Sequence, residues 1–539
     1  MTQKNPPLLH FDFVIIGSGF GGSISAMRLA EKGYSVAIIE KGKRWHSKDF
    51  PTSNWYVRRF FWMPLLRCFG PQAMTLLKGV LVLHGVGVGG GSLVYANTLL
   101  RPKADIFKRA AWPQEINWSD ELESCYAQAE KMLGATKNPF LGRSEKHLEQ
   151  LAKDLNVEES FHATQVAVFF GEAGKEVADP YFDGKGPARS GCTLCGGCMV
   201  GCRYNAKNTL DKNYLYFAEK LGAKVFAERR VERIIPHFNG QRGYVLETKS
   251  STQFWGQRQE TFTADNVIFA AGALGTTELL LRNRDVYKTL PKLSPTLGQQ
   301  VRTNGESLLG VTSFDRSADF SKGIAIGAGF NFDANTKIEP VRYARGSGVM
   351  SLLAVPLTGP GSLFMRPLKL LLNVVFGFRM FIRTRFGGDW AARSIILLVM
   401  QTIEEQMKLT IKRSPWNFFR RRLASELGPQ RPPSYMPIAQ ETAQRMAEKI
   451  NGAPQNSINE VLLGIPSTAH ILGGVPMGTH DKNSVVNTDH QIHNYPGLFV
   501  SDGSIIPGNL GVNPSLTISA LTERFCRQFQ TKSCEVQKL

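Results

Sequence analysis

Apolar and polar residues in the first 40 positions alternate in blocks that predict a strand, a turn, a helix and a second strand. FDFVII (11–16) is typical of a buried strand, and GSGFGG (17–22) is typical of a tight turn. SISAMRLAEK (23–32) predicts a helix, and YSVAIIE (34–40) predicts another buried strand. Such a unit of about 30 residues is the arrangement that binds dinucleotides.

Related patterns recur at 222–235, 265–281 and 497–525, where apolar strands again meet glycine-rich turns and helices. Between about 300 and 460, SLLGVTSF and VMSLLAVPL indicate strands without the turns of a parallel sheet. The sequence therefore predicts an α/β fold (α+β overall), with a discontinuous Rossmann-like domain and an inserted substrate domain on a mostly antiparallel sheet. The predicted boundaries are 8–105, 190–295 and 460–530 for the first domain, and 106–189 and 296–459 for the second.

The 539 residues carry a net charge of +19, which favours an anionic partner such as an acidic substrate or a membrane surface. The basic tract NFFRRRL (417–423) has no nucleic-acid-binding signature, so we expect no nucleic-acid partner. The start, MTQKNPPLLHFDF, lacks a basic stretch followed by an apolar run, so we expect no secretory signal and a cytoplasmic location.

The first turn has the G-x-G-x-x-G pattern at Gly17, Gly19 and Gly22, directly after a strand. The first glycine allows the tight turn, the second lets a pyrophosphate approach the backbone, and the third lets helix and strand pack closely. Glu40 ends the second strand, at the distance expected for an acid that binds ribose hydroxyls. These residues predict a dinucleotide site but do not separate FAD from NAD.

The segment HGVGVGGGSLVYANTLLRP (84–102) contains three adjacent glycines, Gly89, Gly90 and Gly91. Adjacent glycines cost conformational entropy on folding, so the backbone must need them. A plain β-turn is one explanation. The other is close approach of a flavin ring or a pyrophosphate to the main chain, which favours FAD.

Several motifs together resemble the glucose–methanol–choline (GMC) oxidoreductase family. They are GSGFGG followed by Glu40, GVGGGSLVYANTL, AAGALGTTELL, STAHILGGVPMG and YPGLFVSDGSIIPGNLGVNPSLTISALTER. Within this family the chain is most similar to the bacterial cholesterol oxidase branch of the mycobacterial type, which shares a cysteine run followed by a stretch like NAKNTLDKNYL (205–215). The resemblance extends from about residue 11 to 525.

The resemblance implies that FAD is the cofactor. The family's cofactor contacts correspond to Gly17, Gly19, Gly22, Glu40, Gly90, Gly91, Ser92, Asn97, Val231, Asp502 and Gly503. This chain departs from the family in one place: Tyr95 stands where an asparagine is frequent, and Asn97 follows two residues later.

The resemblance also implies oxidation of a sterol hydroxyl to a ketone by hydride transfer to the flavin. His470 corresponds to the family's acid/base, a role that suits the ordinary pKa of histidine, and Asn513 corresponds to the residue that orients the hydroxyl. The acceptor of the electrons is oxygen or a separate carrier. An alternative substrate is a long-chain or terpenoid alcohol, oxidised by a dehydrogenase that feeds a carrier.

Enzymes of this kind also isomerise the double bond of the product through a carboxylate. Glu339 corresponds to that carboxylate, with Glu404 and Glu405 as weaker candidates. The alternative for Glu339 is a surface position paired with Arg342 or Arg345.

Two segments, 361–387 and 55–70, combine apolar, aromatic and basic residues. The uncharged stretches are too short to span a bilayer, so they predict either ordinary core helices or segments that lie in the headgroup region. Peripheral membrane contact, at the inner face of the membrane, would suit an enzyme whose substrate dissolves in lipid. The sequence does not predict the oligomeric state.

The run CTLCGGCMVGC (192–202) places Cys192, Cys195, Cys198 and Cys202 in the spacing C-x2-C-x2-C-x3-C. Bacterial ferredoxins ligate iron–sulfur clusters with this spacing. Zinc usually takes its cysteines from two separated pairs. The sequence leaves three interpretations: an iron–sulfur cluster, a zinc site, or a loop of reduced thiols without metal.

Overall fold

We analysed a computed structural model that describes residues 9–237, 243–253, 258–413 and 421–532. Residues 1–8 of the N-terminal stretch and residues 417–420 of the basic tract lie outside this part of the chain. The dinucleotide unit consists of strand β1 (Leu9–Ile16), helix α1 (Phe20–Glu31) and strand β2 (Val36–Ile39). Helix α1 begins earlier than predicted, because Gly19 is the extended N-cap residue and Phe20 already has helical geometry.

The first sheet has seven strands and is mainly parallel where the dinucleotide unit contributes to it. Strands β1 and β2 pair in parallel, and further parallel strands lie on either side of them. The seven strands are Leu9–Ile16, Val36–Ile39, Lys224–Phe226, Arg229–Pro236, Tyr244–Ser250, Gln259–Phe269 and Leu498–Val500. Strands from the start, middle and end of the chain therefore share one sheet.

The strand Gln259–Phe269 is long enough to pair differently along its length. Its first half is antiparallel to Tyr244–Ser250, which in turn pairs with Arg229–Pro236. Its last residues are parallel to Leu498–Val500. The predicted strand-to-helix pattern at 222–235 is wrong, because this stretch forms two consecutive strands, Lys224–Phe226 and Arg229–Pro236.

Helices cover the first sheet and share its core. Helix α1 packs against Tyr214–Lys220 and Ser515–Arg527, and Trp118–Leu133 packs against the latter. Buried residues of these helices join those of the sheet in one continuous apolar cluster. A smaller sheet supports the site from the side, with strands Gln72–Leu77, Val80–Gly85 and Ser467–Thr468.

The second sheet also has seven strands, all paired antiparallel. They are His162–Ala163, Glu306–Ser313, Ala328–Asn331, Thr336–Val341, Ala354–Pro356, Ser394–Gln401 and Gly452–Ser457. One face packs on helices Arg143–Asp154 and Pro437–Lys449 through a separate apolar cluster. The predicted fold class is confirmed; the predicted domain boundaries stay predictions.

Residues of the second sheet alternate between its two faces. Leu309 and Val311 point to the covering helices, whereas Glu306, Leu308 and Gly310 line a large cavity. Successive side chains of a strand point to opposite faces of the sheet. Residues of this strand therefore contact either the covering helices or the cavity. The second sheet thereby forms a wall of the site.

Candidate active site

A cavity of about 650 Å³ lies between the carboxyl ends of the first sheet and the inner face of the second. Its size is that of a cofactor or ligand site. One end is lined by backbone-rich glycine turns. The other end is lined mainly by apolar side chains, among them Met199, Tyr343, Met350, Leu353, Ala354 and Trp390.

Two glycine turns meet at the first end of the cavity. Gly17 has a φ of +103° and Gly90 a φ of +53°, both in the left-handed region that favours glycine. A Cβ atom on Gly90 would lie 2.6 Å from the Cα atom of Gly19, so only glycine allows the two turns to touch. The N-terminus of α1 then faces the cavity, where its free N–H groups favour an anion such as a pyrophosphate.

Glu40 follows β2 and is held in place at the cavity wall. Its carboxylate accepts hydrogen bonds from the Ser18 backbone N–H (3.1 Å), the Ser18 hydroxyl (2.8 Å) and the Gly42 N–H (2.8 Å). These bonds fix the carboxylate at the end of the strand, where a ribose hydroxyl would reach it.

Asp502 connects three elements at the same end of the cavity. Its carboxylate accepts bonds from the Gly272 N–H (2.9 Å), the Thr276 hydroxyl (2.5 Å) and the Ser504 N–H (2.8 Å). Burial raises the pKa of Asp502, which these hydrogen bonds partly offset. Asp502 therefore ties helix Gly272–Leu281 to the loop after the last strand of the first sheet.

Most of the predicted cofactor residues line the cavity: Gly17, Gly19, Glu40, Gly90, Gly91, Val231, Asp502 and Gly503. Three do not. Gly22 packs against the backbone of Gly17, and the Ser92 hydroxyl donates to the Gly89 carbonyl at 2.7 Å. Asn97 is fully buried and faces Cys198 rather than the cavity.

FAD fits this arrangement. The crossed glycine turns leave room for a pyrophosphate against the main chain, and Glu40 supplies a ribose acceptor. The cavity continues past Gly91 and Tyr95 towards His470, which is the direction in which the flavin ring would extend.

His470 and Asn513, the two residues predicted from their motifs, lie close together at the inner part of the cavity. The Asn513 Nδ2 atom lies 3.4 Å from the His470 Nε2 atom. The His470 backbone N–H donates to the Thr468 hydroxyl at 2.9 Å, directly after the strand Ser467–Thr468. The asparagine loop is held by Asn304, whose Oδ1 atom accepts from the Leu510 N–H at 3.0 Å.

Glu306 lies behind the histidine and was not predicted from the sequence. Its Oε1 atom contacts His470 Nδ1, and its Oε2 atom accepts from the Ala469 N–H at 2.9 Å. Burial opposes protonation of His470, but the carboxylates of Glu306 and Glu339 outweigh it and raise the pKa of the histidine. The signal in the sequence was weak: a carboxylate at an inward position of an apolar strand.

Glu339 is fully buried, so the alternative of a surface ion pair is wrong. Arg342 pairs with Glu145, and Arg345 pairs with Asp319. Glu339 does not itself line the cavity, but it shares a sheet face with Val341 and is opposite Leu398, both of which do. Burial raises the pKa of Glu339, while Lys337, His470 and Asn513 favour its charged form.

The two weaker carboxylate candidates have other surroundings. Glu405 accepts hydrogen bonds from the Thr303 N–H (2.6 Å) and the Gly305 N–H (3.2 Å), so it supports a turn. Glu404 is exposed, and neither residue lines the cavity.

The four clustered cysteines lie outside the large cavity, around a small one of their own. Cys195 is exposed and the other three are partly buried. Within residues 9–237, 243–253, 258–413 and 421–532, no group of three or more His, Cys, Asp or Glu side chains is arranged to hold a metal ion.

A dinucleotide cradle that opens onto a histidine–asparagine pair is the site of a flavin-dependent oxidoreductase acting on CH–OH donors. The chain belongs to the GMC oxidoreductase family: profiles described as GMC oxidoreductase match residues 11–283 and 385–522. FAD is therefore its cofactor.

Three relatives of named activity align over nearly the whole chain. A cholesterol oxidase of Acinetobacter baumannii is 42% identical over 95% of this chain and 93% of its own length. A cholesterol oxidase of Mycobacterium tuberculosis is 40% identical over 95% and 90%. A long-chain-alcohol oxidase of Arabidopsis thaliana is 24% identical over 96% and 67%.

A solved structure supports the fold. The pyridoxine 4-oxidase from Mesorbium loti superimposes with a TM-score of 0.62 over 96% of this chain and 99% of its own, at 16% identity.

Proposed function

We propose that the protein oxidises the 3β-hydroxyl of a sterol or steroid to a ketone, with FAD as the hydride acceptor. The observation that carries the proposal is the His470–Asn513 pair, which faces both the flavin cradle and the apolar end of the cavity. The substrate class follows from the cholesterol oxidases that are 40–42% identical to this chain.

His470 and Asn513 have different roles at the substrate hydroxyl. Because Glu306 occupies the Nδ1 side, the Nε2 lone pair of neutral His470 faces the cavity and accepts the hydroxyl proton. The Asn513 amide donates to the substrate oxygen and orients the carbon. The chemistry that bound FAD would supply is acceptance of a hydride from that carbon. The neutral form of His470 is the active base, so the raised pKa sets the lower pH limit of turnover.

The apolar end of the cavity suits a rigid, lipophilic alcohol. Met350, Leu353 and Trp390 offer carbon and aromatic surface, with no charged group among them. Burial of apolar surface contributes about 25 cal/mol per Å² to binding, so a four-ring sterol gains affinity without specific polar contacts.

Glu339 is the carboxylate that we propose for isomerisation of the product. It lies one layer behind His470 and Asn513, and its carboxylate oxygens make no hydrogen bond of good geometry within the described residues. Such an unengaged carboxylate can accept a proton from C4 and return it to C6 of a 3-keto-5-ene steroid.

We also propose that the protein contacts a membrane peripherally. Segment 361–387 forms two helices, Met365–Phe376 and Phe378–Phe386. Their outer side is an exposed apolar face made of Leu363, Phe364, Leu371, Val375, Phe376 and Phe386. Phe364 is 87% exposed and Phe376 is 84% exposed, values typical of an interaction surface rather than of a core. Arg366 is buried beneath the helix and is not a headgroup contact.

The exposed apolar face belongs to elements that also form the cavity. Helix Met365–Phe376 packs against Ile458–Leu462 and Ala354–Pro356. Ala354 and the adjacent residues Asn456 and Ser457 line the apolar end of the cavity. Among the described helices, none is long and apolar enough to cross a bilayer. The face therefore suits a protein that takes a lipid-soluble alcohol from the membrane surface.

Anaerobic bleaching of the bound flavin tests the substrate. We expect a 3β-hydroxysterol to bleach it rapidly and a fatty alcohol to bleach it slowly. The reverse order would favour the long-chain alcohol function, and no bleaching by either would refute alcohol oxidation. Readmission of air then shows whether oxygen reoxidises the flavin.

The variant His470→Ala tests the mechanism in the same assay. Loss of a positioned base costs about 10²- to 10⁴-fold in the bleaching rate, while the flavin spectrum should remain. A near-normal rate would remove His470 from the mechanism.

A further inference from the structure

The four clustered cysteines surround one small cavity. Cys192, Cys195, Cys198 and Cys202 all line it, together with Lys207. A single tetrahedral zinc would need sulfur atoms about 3.8 Å apart, given a Zn–S distance of about 2.3 Å. The side chains are not gathered in this way within the described part of the chain, which disfavours a single zinc ion.

The cysteine loop is curled so that backbone N–H groups face sulfur atoms. The Leu194 N–H donates to Cys192 Sγ and the Ala206 N–H donates to Cys202 Sγ, each at 3.4 Å. Leu194 itself has a φ of +56°, a left-handed conformation that is costly for leucine. Hydrogen bonds to sulfur are the contacts that tune ligands of iron–sulfur clusters.

Two buried cations flank the sulfur atoms without a carboxylate of their own. Arg189 and Lys207 are each 1% exposed. Lys207 Nζ donates to the carbonyls of Tyr95 (2.8 Å) and Cys198 (2.9 Å), and Arg189 Nε donates to that of Asn205 (3.0 Å).

Neither cation forms a salt bridge with any carboxylate in the described residues. Asp211, an acid whose charge acts on both cations, pairs with Lys212 at 2.7 Å. Buried charges are expensive unless an opposite charge compensates them. An anionic group beside the cysteines would compensate both charges.

We propose that Cys192, Cys195, Cys198 and Cys202 ligate an iron–sulfur cluster whose net negative charge is balanced by Lys207 and Arg189. The C-x2-C-x2-C-x3-C run, the N–H groups aimed at sulfur and the two buried cations each fit this group. A zinc ion, a disulfide or free thiols are the other outcomes of the test.

The cluster site adjoins the flavin site. The Lys207 ammonium lies 4.6 Å from the centre of the Tyr95 ring, and Tyr95 lines the large cavity. Met199, within the cysteine loop, lines the same cavity. One residue layer therefore separates the two sites, a short path for electrons.

The cluster would serve as an electron outlet, a role that rests on the proposed function. Oxidation of one secondary alcohol releases two electrons and two protons. A cluster passes electrons singly, so each turnover reduces two equivalents of a one-electron acceptor, and both protons leave to solvent. The presence of the cluster does not depend on the identity of the alcohol.

Anaerobic purification, followed by reconstitution with ferrous iron and sulfide, tests the site. We expect about four iron and four sulfide per chain, and a low-temperature EPR signal upon reduction or oxidation. Cys198→Ser should lose the iron and retain the flavin, whereas the matched variant Cys68→Ser, in a distant strand, should retain both. Lys207→Gln should make the cluster harder to reduce, because the reduced form carries more negative charge.

Three results of these experiments would overturn the proposal of an iron–sulfur cluster. Absence of iron after reconstitution, one zinc per chain, or disulfides between these cysteines in the purified protein would each do so. Because metal content is measured without substrate, these results stay distinct from a failure of sterol oxidation, which only the flavin bleaching reports.

Discussion

Glu306 determines which nitrogen of His470 is free to act. Its carboxylate contacts Nδ1 and also accepts the Ala469 N–H, so the carboxylate and the histidine loop are fixed together. A carboxylate at Nδ1 keeps the proton on that side, as in catalytic histidines that are oriented by an acid. Glu306 is therefore a positioning residue.

Glu306→Gln should change both the rate and the pH profile of sterol oxidation. Because the carboxylate raises the pKa of His470, its loss lowers that pKa and moves the rising limb of the kcat profile to lower pH. The plateau should fall by about 10- to 100-fold, since the amide holds the ring less well. The control Glu441→Gln changes an exposed helix residue and should leave the profile unchanged. An unshifted limb would contradict the role.

Glu339→Gln should separate the two steps of the proposed reaction. Oxidation should continue within a few-fold, while the 3-keto-5-ene product accumulates instead of its conjugated isomer. Absorbance of the conjugated enone near 240 nm measures the second step alone. Undiminished isomerisation in the variant would exclude Glu339.

The sequence was informative about residues that lie in glycine-rich or otherwise distinctive motifs. His470 and Asn513 were found because their motifs resemble those of a family. Glu306 and Asn304 were not, because an acid in an apolar strand and an asparagine in a turn look ordinary until the fold brings them to the site. The sequence also does not show that Glu339 is buried. Alternation of side chains between the two faces of a strand does not reveal which face is covered.

At the scale of elements, the two helices of segment 361–387 are amphipathic, and their apolar side faces outward. A buried helix would turn that side to the core. Here the covered side carries a buried polar residue, Arg366, which donates to the Ser434 carbonyl at 2.9 Å. The outward apolar side contacts no other part of the described chain that would bury it, and we propose that it contacts lipid.

Replacement of Phe364 and Phe376 by serine should weaken vesicle binding. We expect the double variant to lose most of its flotation with cholesterol-containing anionic vesicles, because two exposed aromatic groups no longer insert. Activity on detergent-dispersed sterol should remain. Leu221→Ser, at an exposed position elsewhere, is the matched control. Equal flotation of variant and wild type would contradict membrane contact by this face.

Elements with strong patterns were predicted well, and elements with short apolar runs were not. The β1–α1–β2 unit was found within a few residues of its bounds. VMSLLAVPL was predicted as a strand, but it forms a 3₁₀ turn, Val349–Leu353, and only a short strand, Ala354–Pro356. The periodicity of a short apolar run cannot distinguish a strand from a turn, because tertiary contacts decide which of the two structures forms.

At the scale of the whole molecule, the cavity lies between two sheets with separate cores. The first sheet supplies the glycine turns, and the second supplies Glu306 and the apolar wall. A ligand that contacts both sheets stabilises their association, because it binds the folded chain and not the unfolded one.

Removal of FAD should therefore lower the melting temperature of the whole chain. Adding FAD at about 100 times its Kd should restore about 2.7 kcal/mol of stability, with the transition rising as the concentration increases. FMN, which lacks the adenosine that would reach Glu40, should restore less. Scanning calorimetry of the stripped protein measures both. Equal recovery with FMN would argue against the assigned adenosine end.

The overall architecture was predictable because alternation and turn chemistry recur along the chain. The arrangement of the second sheet against the first was not, since it depends on contacts between residues far apart in sequence. The same holds within the first sheet, where Val267 pairs with Leu498, far along the chain.

The pairing of the strand Gln259–Phe269 with Leu498–Val500 has a consequence for biosynthesis. The last strand of the first sheet, His470 and Asn513 all lie beyond residue 466, so they emerge from the ribosome long after the glycine turns. Long-range pairing of this kind forms late and slowly. A nascent chain would thus possess the glycine turns of the cofactor site well before it possesses His470 and Asn513.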